Sequence, residues 1–146
     1  MPSKRWPVVC YRRTLEALPQ LHPVYIGSAA EAQDIHDLAA HVPGTILAGQ
    51  PLPLVAEVLR NCRAYLGNDT GLMHLAAACG VPCVAIFSAR GLPGLWEPYG
   101  SGHRILTRHP ACEGCQAVAC PVEGHPCLTQ IQPEGAVQAL REVIGN

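Results

Sequence analysis

Short apolar runs alternating with helical segments predict an α/β domain, a Rossmann-like parallel sheet with flanking helices. Three observations carry the prediction. Cys83-Val84-Ala85-Ile86-Phe87 is continuous and apolar, as strands covered on both faces tend to be. Apolar residues at helical spacing fill the intervals between such runs. The runs close on glycine or polar turns, at Gly27-Ser28, Gly49-Gln50, Gly67 to Gly71 and Ser88 to Gly94. In open parallel sheets these carboxyl ends are where ligands bind.

The elements follow in order. Residues 8–18 space Val9, Arg13, Leu15 and Leu18 as a helix does, and Pro19 ends it. Pro23 to Gly27 reads as a short buried strand. Ala29 to His41 is a helix with apolar positions at Ala32, Ile35, Leu38 and Ala39. Thr45 to Ala48 is a strand and Leu54 to Cys62 a helix. Tyr65-Leu66 leads into a turn, and the helix after it runs to about Cys79, where Gly80 stops it. Arg104 to Thr107 forms the last strand, and Pro133 opens a terminal helix ending near Ile144. The chain opens on a loop and helix where a doubly wound sheet normally opens on a central strand. The first strand is therefore expected to be missing from an incomplete sheet.

With 146 residues the chain is one domain large enough for a real core. It is 49% hydrophobic and 14% charged, which excludes a disordered polymer. A formal net charge of −1 argues against nucleic acid held by a basic surface. No apolar run approaches the ~18 residues of a membrane span, and no signal-peptide core opens the chain, so a cytoplasmic protein is expected. The dinucleotide and P-loop glycine fingerprints are absent.

The residues that carry chemistry centre on Gly67-Asn68-Asp69-Thr70-Gly71-Leu72-Met73-His74-Leu75-Ala76. Asp69 or Thr70 can cap the helix, and Gly71 lets a ligand approach the backbone closely. Unpaired amides at a helix start favour an anion, so the turn suits a phosphate or diphosphate. An ordinary, well-capped strand-to-helix connection is the plain alternative.

Taken together, Lys4-Arg5-Trp6-Pro7, Tyr25-Ile26-Gly27 with Glu31, Leu47-Ala48-Gly49, the Asp-Thr-Gly-x-Met-His block, Trp96-Glu97-Pro98-Tyr99-Gly100 and a cysteine loop resemble the C-terminal half of family-9 glycosyltransferases. Bacterial ADP-heptose:lipopolysaccharide heptosyltransferases belong to that family. The resemblance covers essentially the whole chain. It implies the nucleotide-sugar-binding domain of a GT-B enzyme over residues 1–146, with the N-terminal acceptor domain and its catalytic base absent. It also implies an inverting transferase of bacterial surface-glycan synthesis that needs no cofactor for transfer. Its donor is a nucleoside-diphosphate sugar, with ADP-heptose favoured by analogy, and its acceptor is a lipid-linked or other glycan. The full-length enzyme would be cytoplasmic and peripheral to the inner membrane.

Carried over by position, Lys4 is the diphosphate cation and Glu31 the ribose acceptor, while Asp69, Thr70, Gly71 and His74 form the pocket at the helix start. A carboxylate suits a vicinal diol, but Asp69 repels phosphate and is better suited to capping or to sugar hydroxyls. Glu31 equally reads as favourable first-turn charge, Lys4 as a solvated terminal lysine and His74 as a packed histidine. Trp6 and Trp96 read as packing anchors. Leu72 replaces the family's proline, and Ser88-Ala89-Arg90 stands where many members have Gly-Pro-Thr.

Eight cysteines divide into two sets. Cys10, Cys62, Cys79 and Cys83 lie in apolar segments and read as buried hydrophobes. Cys112, Cys115, Cys120 and Cys127 share a loop at 109–128 with His109 and His125, where structural zinc, reduced thiols or a redox pair are the open readings. Two other functions compete: a sugar-nucleotide epimerase of the UDP-GlcNAc 2-epimerase type, and a non-catalytic nucleotide- or zinc-binding module. The Met73-His74 pair and the Lys4-to-Trp6 opening favour the transferase.

Overall fold

The computed structural model describes residues 1–145. After a 3-10 turn at Pro2–Lys4 come α1 (Val8–Glu16), β1 (Val24–Gly27), α2 (Ala32–His41), β2 (Thr45–Ala48), α3 (Leu52–Arg60), β3 (Tyr65–Asn68), α4 (Gly71–Ala78), β4 (Cys83–Ile86), β5 (Arg104–Leu106), α5 (Pro126–Thr129) and α6 (Pro133–Gly145). Each strand and long helix expected from the sequence is present, with ends shifted by a few residues. The helix expected from Ala29 begins as a 3-10 turn, because Ser28 and Glu31 form a capping box ahead of Ala32. The short α5 was not expected. Four residues give no periodicity to read.

All pairing is parallel, but it falls into two sheets, β1-β2 and β3-β4-β5. This agrees with the expected incomplete sheet. The core sits around β4, every residue of which is buried. Successive side chains on a strand point to opposite faces, and β4 shows which helices cover each. Cys83 and Ala85 join Val55 and Leu59 of α3 and Met73 and Ala76 of α4. Val84 and Ile86 pack the other way, Val84 with Val137 and Leu140 of α6 and Ile86 with Trp6, Leu128 and Ala136. Helices α1 and α6 pack together on that second face, and α1 also meets α2.

Trp6 is buried, its indole Nε1–H donating to the Ile131 carbonyl (3.0 Å) and its ring meeting Tyr11 edge-on. It is the packing anchor its apolar body predicts. Trp96 is not. It is 58% exposed in a loop with exposed Leu92, Leu95 and Tyr99, because no element of the fold covers that segment. Of the cysteines expected to be buried, Cys83 is, whereas Cys10, Cys62 and Cys79 are only half-buried at the margins of the core.

Candidate functional site

The site lies at the carboxyl ends of β1, β3 and β4. Along β3, Tyr65 and Gly67 turn inward together. A Cβ on Gly67 would stand 2.2 Å from the Tyr65 hydroxyl, so only glycine allows the strand to pass the buried ring. Burial pushes the Tyr65 phenol up to about 12. The strand then delivers Asn68, whose Oδ1 accepts the Trp6 backbone N–H at 3.0 Å, tying the opening segment to the strand end.

That tie positions Lys4. Its ammonium is bonded to Asp69 Oδ2 and donates also to the Asp69 carbonyl at 3.3 Å. The solvated-tail reading of Lys4 therefore fails, since the side chain is fastened and partly buried. An ammonium has three donors, so one N–H remains for a ligand. The capping role offered for Asp69 also fails. Thr70 takes the N-cap position of α4 without a side-chain bond, and the Asp69 carboxylate is committed to Lys4. Electrostatics explain the choice, because pairing removes the carboxylate's repulsion of any anion at the helix start.

Thr70 and Gly71 are exposed at the mouth. Nothing lies within 4 Å of the place a Gly71 Cβ would occupy, so open space faces the first amides of α4. His74 is half-buried one turn further on, with no side-chain hydrogen bond among the described residues. Ser88, at the end of β4, is buried, and its hydroxyl has no partner among the described residues.

Across the mouth, Glu31 stands after β1. Its Oε2 accepts the Ser28 N–H (2.9 Å) and the Ser28 hydroxyl (2.7 Å), and these bonds hold its carboxyl below the usual range. The first-turn structural role is thus present. Oε1 keeps only a 3.7 Å approach from Arg5, which reaches Asp34 at the same distance. Sequence reasoning missed Arg5. The resemblance carried over only its neighbour Lys4, yet Arg5 is the more exposed cation and approaches Glu31 across the mouth. The structure thus brings Lys4 to Asp69, Arg5 to Glu31 and the Thr70 hydroxyl to the Tyr65 phenol, and leaves His74 without a side-chain hydrogen bond among the described residues.

The cysteine loop forms a separate unit. Cys112, Cys115, Cys120 and Cys127 all line one cavity of about 20 Å³ with Ser3, Ala89 and His125. All eight cysteines are free. Among the described residues no three His, Cys, Asp or Glu side chains converge as metal ligands. Hydrogen bonds to backbone carbonyls hold the loop in place. Ser3 Oγ–H and the Arg90 guanidinium both donate to the Ala117 carbonyl (2.7 and 3.0 Å), and the Gly114 N–H donates to Ala89 (2.7 Å). Burial pushes the Cys127 thiol up. Arg90 is spent on this staple, its Nη2 donating also to the Gln116 carbonyl at 2.7 Å.

Comparison with known proteins accords with the geometry. The family model described as glycosyltransferase family 9 (heptosyltransferase) matches residues 1–125. Lipopolysaccharide heptosyltransferase 1 of Pseudomonas aeruginosa is 33% identical over 97% of this chain and 45% of its own length. The structure of Escherichia coli ADP-heptose lps heptosyltransferase II superposes with a TM-score of 0.80 at 26% identity, over 98% of this chain and 43% of that one. Escherichia coli heptosyltransferase WaaC with ADP gives 0.77 at 24% identity, over 98% and 41%. The chain spans less than half the length of the curated heptosyltransferases it matches. No helix among the described residues is long and apolar enough to cross a membrane. The chain belongs to glycosyltransferase family 9.

Proposed function

We propose that this chain binds the nucleoside-diphosphate sugar of an inverting heptosyltransferase that builds bacterial lipopolysaccharide or a related surface glycan. One observation supports it most: the open start of α4 at Thr70-Gly71 stands beside the Lys4 ammonium fastened to Asp69. As the glycosidic bond breaks, the diphosphate leaving group gains negative charge, and fixed amides with a neighbouring cation stabilise that state more than the bound donor. In this reading Lys4 and the amides of α4 meet the diphosphate, with Arg5 as a second cation. His74 and Thr70 meet phosphate or sugar oxygens, and Glu31 Oε1 accepts a ribose hydroxyl. Asp69 acts through Lys4 as a positioning residue.

ADP-heptose is the donor favoured, on likeness to a relative named for it. The acceptor and the catalytic base belong to an acceptor-side half, so this chain alone binds donor without transferring sugar. Family membership weighs against the epimerase alternative. Titration calorimetry with ADP-heptose tests the reading. Binding to this chain should weaken at least about tenfold, or ~1.4 kcal/mol, in Asp69→Ala. Absence of binding, or an Asp69→Ala protein that binds equally well, would overturn the site.

A further inference from the structure

A second cluster of reactive side chains lies outside the donor mouth, in and just after the stretch 107–125 that joins β5 to α5. Loops longer than about 12–15 residues without secondary structure are uncommon in compact domains and usually serve a function. Cys112, Cys115 and Cys120 fall within this one, and Cys127 follows in the first turn of α5. Two residues other than glycine hold left-handed backbone here, Gln116 (φ 52°) directly after Cys115 and His125 (φ 47°) two residues before Cys127. Such backbone is unfavourable away from glycine and persists where its surroundings require it.

The four cysteines enclose one cavity of about 20 Å³, whose remaining lining is His125, the Ser3 side chain and apolar groups such as Pro121 and Val122. A single water needs about 10–15 Å³ and two to four polar partners. The volume suits one atom, but the lining does not suit water. Thiols are weak donors and acceptors, and the Ser3 hydroxyl already donates to the Ala117 carbonyl. Four thiols around an atom-sized space suit a tetrahedral, thiophilic cation. The space is too small for an iron–sulfur cluster, and a disulfide employs only two of the four sulfurs.

The surroundings match such an ion. A divalent cation held by four thiolates leaves negative charge in excess, and the Arg90 guanidinium borders it, donating to the Gln116 and Ala117 carbonyls just after Cys115. The Ala89 N–H donates to the Cys127 sulfur. Hydrogen bonds of that kind orient a ligand atom and favour its charged form. His109 is engaged with Glu113 at 2.6 Å and takes no part.

We propose that Cys112, Cys115, Cys120 and Cys127 form a structural tetrathiolate site for one zinc ion. Among the described residues no three ligands converge on one point. The shell therefore closes as Cys112, Cys115 and Cys120, half-buried or exposed, turn inward toward the buried Cys127. One proton leaves for each Zn–S bond formed, and no electron is transferred. The site stands directly behind the donor cation. Ser3 lines the cavity, its N–H donates to the Val118 carbonyl at 3.1 Å, and Lys4 follows it in the chain. Closing the loop on zinc steadies the segment that carries Lys4 to Asp69. The consequence for donor binding rests on the function proposed above, whereas the metal site does not.

Cobalt(II), added alone to the reduced chain, is the first probe, because tetrahedral cobalt thiolate shows charge-transfer and intense visible bands that octahedral cobalt lacks. A single equivalent should bind with those bands, and zinc should displace it. Cys115→Ser, at an exposed position, and Cys120→Ser should each weaken zinc binding at least about tenfold, since losing a ligand costs no less than losing its outer-shell partner. Cys62→Ser, outside the loop, should leave zinc affinity unchanged. Zinc should also slow amide hydrogen exchange at Ser3 by at least about tenfold. Absence of the charge-transfer bands, the weak bands of octahedral cobalt, or undiminished zinc affinity in both loop variants would overturn the site. Unchanged exchange at Ser3 would overturn its hold on Lys4. A chain that binds zinc in this way but has no affinity for ADP-heptose would sink the donor reading and leave the metal site standing.

Discussion

The two sheets of this molecule are both parallel and built of strands of three or four residues, but their environments are opposite. β4 has a neighbour on each edge and helices on each face, and all four of its residues are buried. β2 has one neighbour, no buried residue, and a covering helix α2 that is likewise without one. Parallel pairing alone therefore does not make a core. Two strands and a helix bury too little, whereas a strand between two others and two helix layers buries everything. Arg5 and Glu31 stand at the carboxyl end of the weaker sheet.

The sharpest way to break this contrast is to make the same deletion in both sheets. Ile86→Ala on β4 should cost about 2–5 kcal/mol by urea denaturation. Ile46→Ala on β2, already half-exposed, should cost under about 1.5 kcal/mol. Equal costs would mean that the β1-β2 pair is as well packed as the core.

A second comparison sets Gly67 against Gly71. Gly67→Ala forces a methyl against the buried Tyr65 ring and should destabilise by about 1–3 kcal/mol. Gly71→Ala meets nothing and should leave stability unchanged while weakening ADP-heptose binding. Loss of stability in Gly71→Ala, or unchanged donor affinity, would remove Gly71 from the site.

Lys4→Met leaves the nearly buried Asp69 carboxylate without its partner and should cost about 1–2 kcal/mol. The double variant Lys4→Met/Asp69→Asn should recover part of that loss, since no charge is then stranded. Failure to recover would mean that the pair is structurally idle.

The smallest effect belongs to the weaker sheet. The bonds from Ser28, and then Arg5, depress the Glu31 carboxyl in the folded state. Its contribution is therefore present above the ordinary carboxylate value and is lost as pH falls through the lowered one. Being exposed, Glu31 should contribute less than about 1 kcal/mol. Denaturation at pH 6 and pH 3 should show a steeper loss in the native chain than in Glu31→Gln, and parallel losses would discount the capping box.

Much of this was legible in the sequence because it is local. A continuous apolar strand such as Cys83 to Ile86, the glycine-bearing turn before α4 and the proline opening α6 each follow from backbone preferences within a few residues. The order of motifs likewise led to the family and to the expectation of an incomplete sheet. What the sequence could not decide depends on residues brought together from far apart. From the sequence Asp69 could cap its own helix or meet sugar hydroxyls, and only the fold, by tying Trp6 to Asn68, delivers Lys4 to it across 65 positions. Trp6 and Trp96 have the same chemistry, yet the tertiary structure buries one and exposes the other. The order of the strands in their sheets is also tertiary. A strand's own residues specify its alternation and its apolar faces, but which neighbours fill its two hydrogen-bonding edges is decided by the assembled fold.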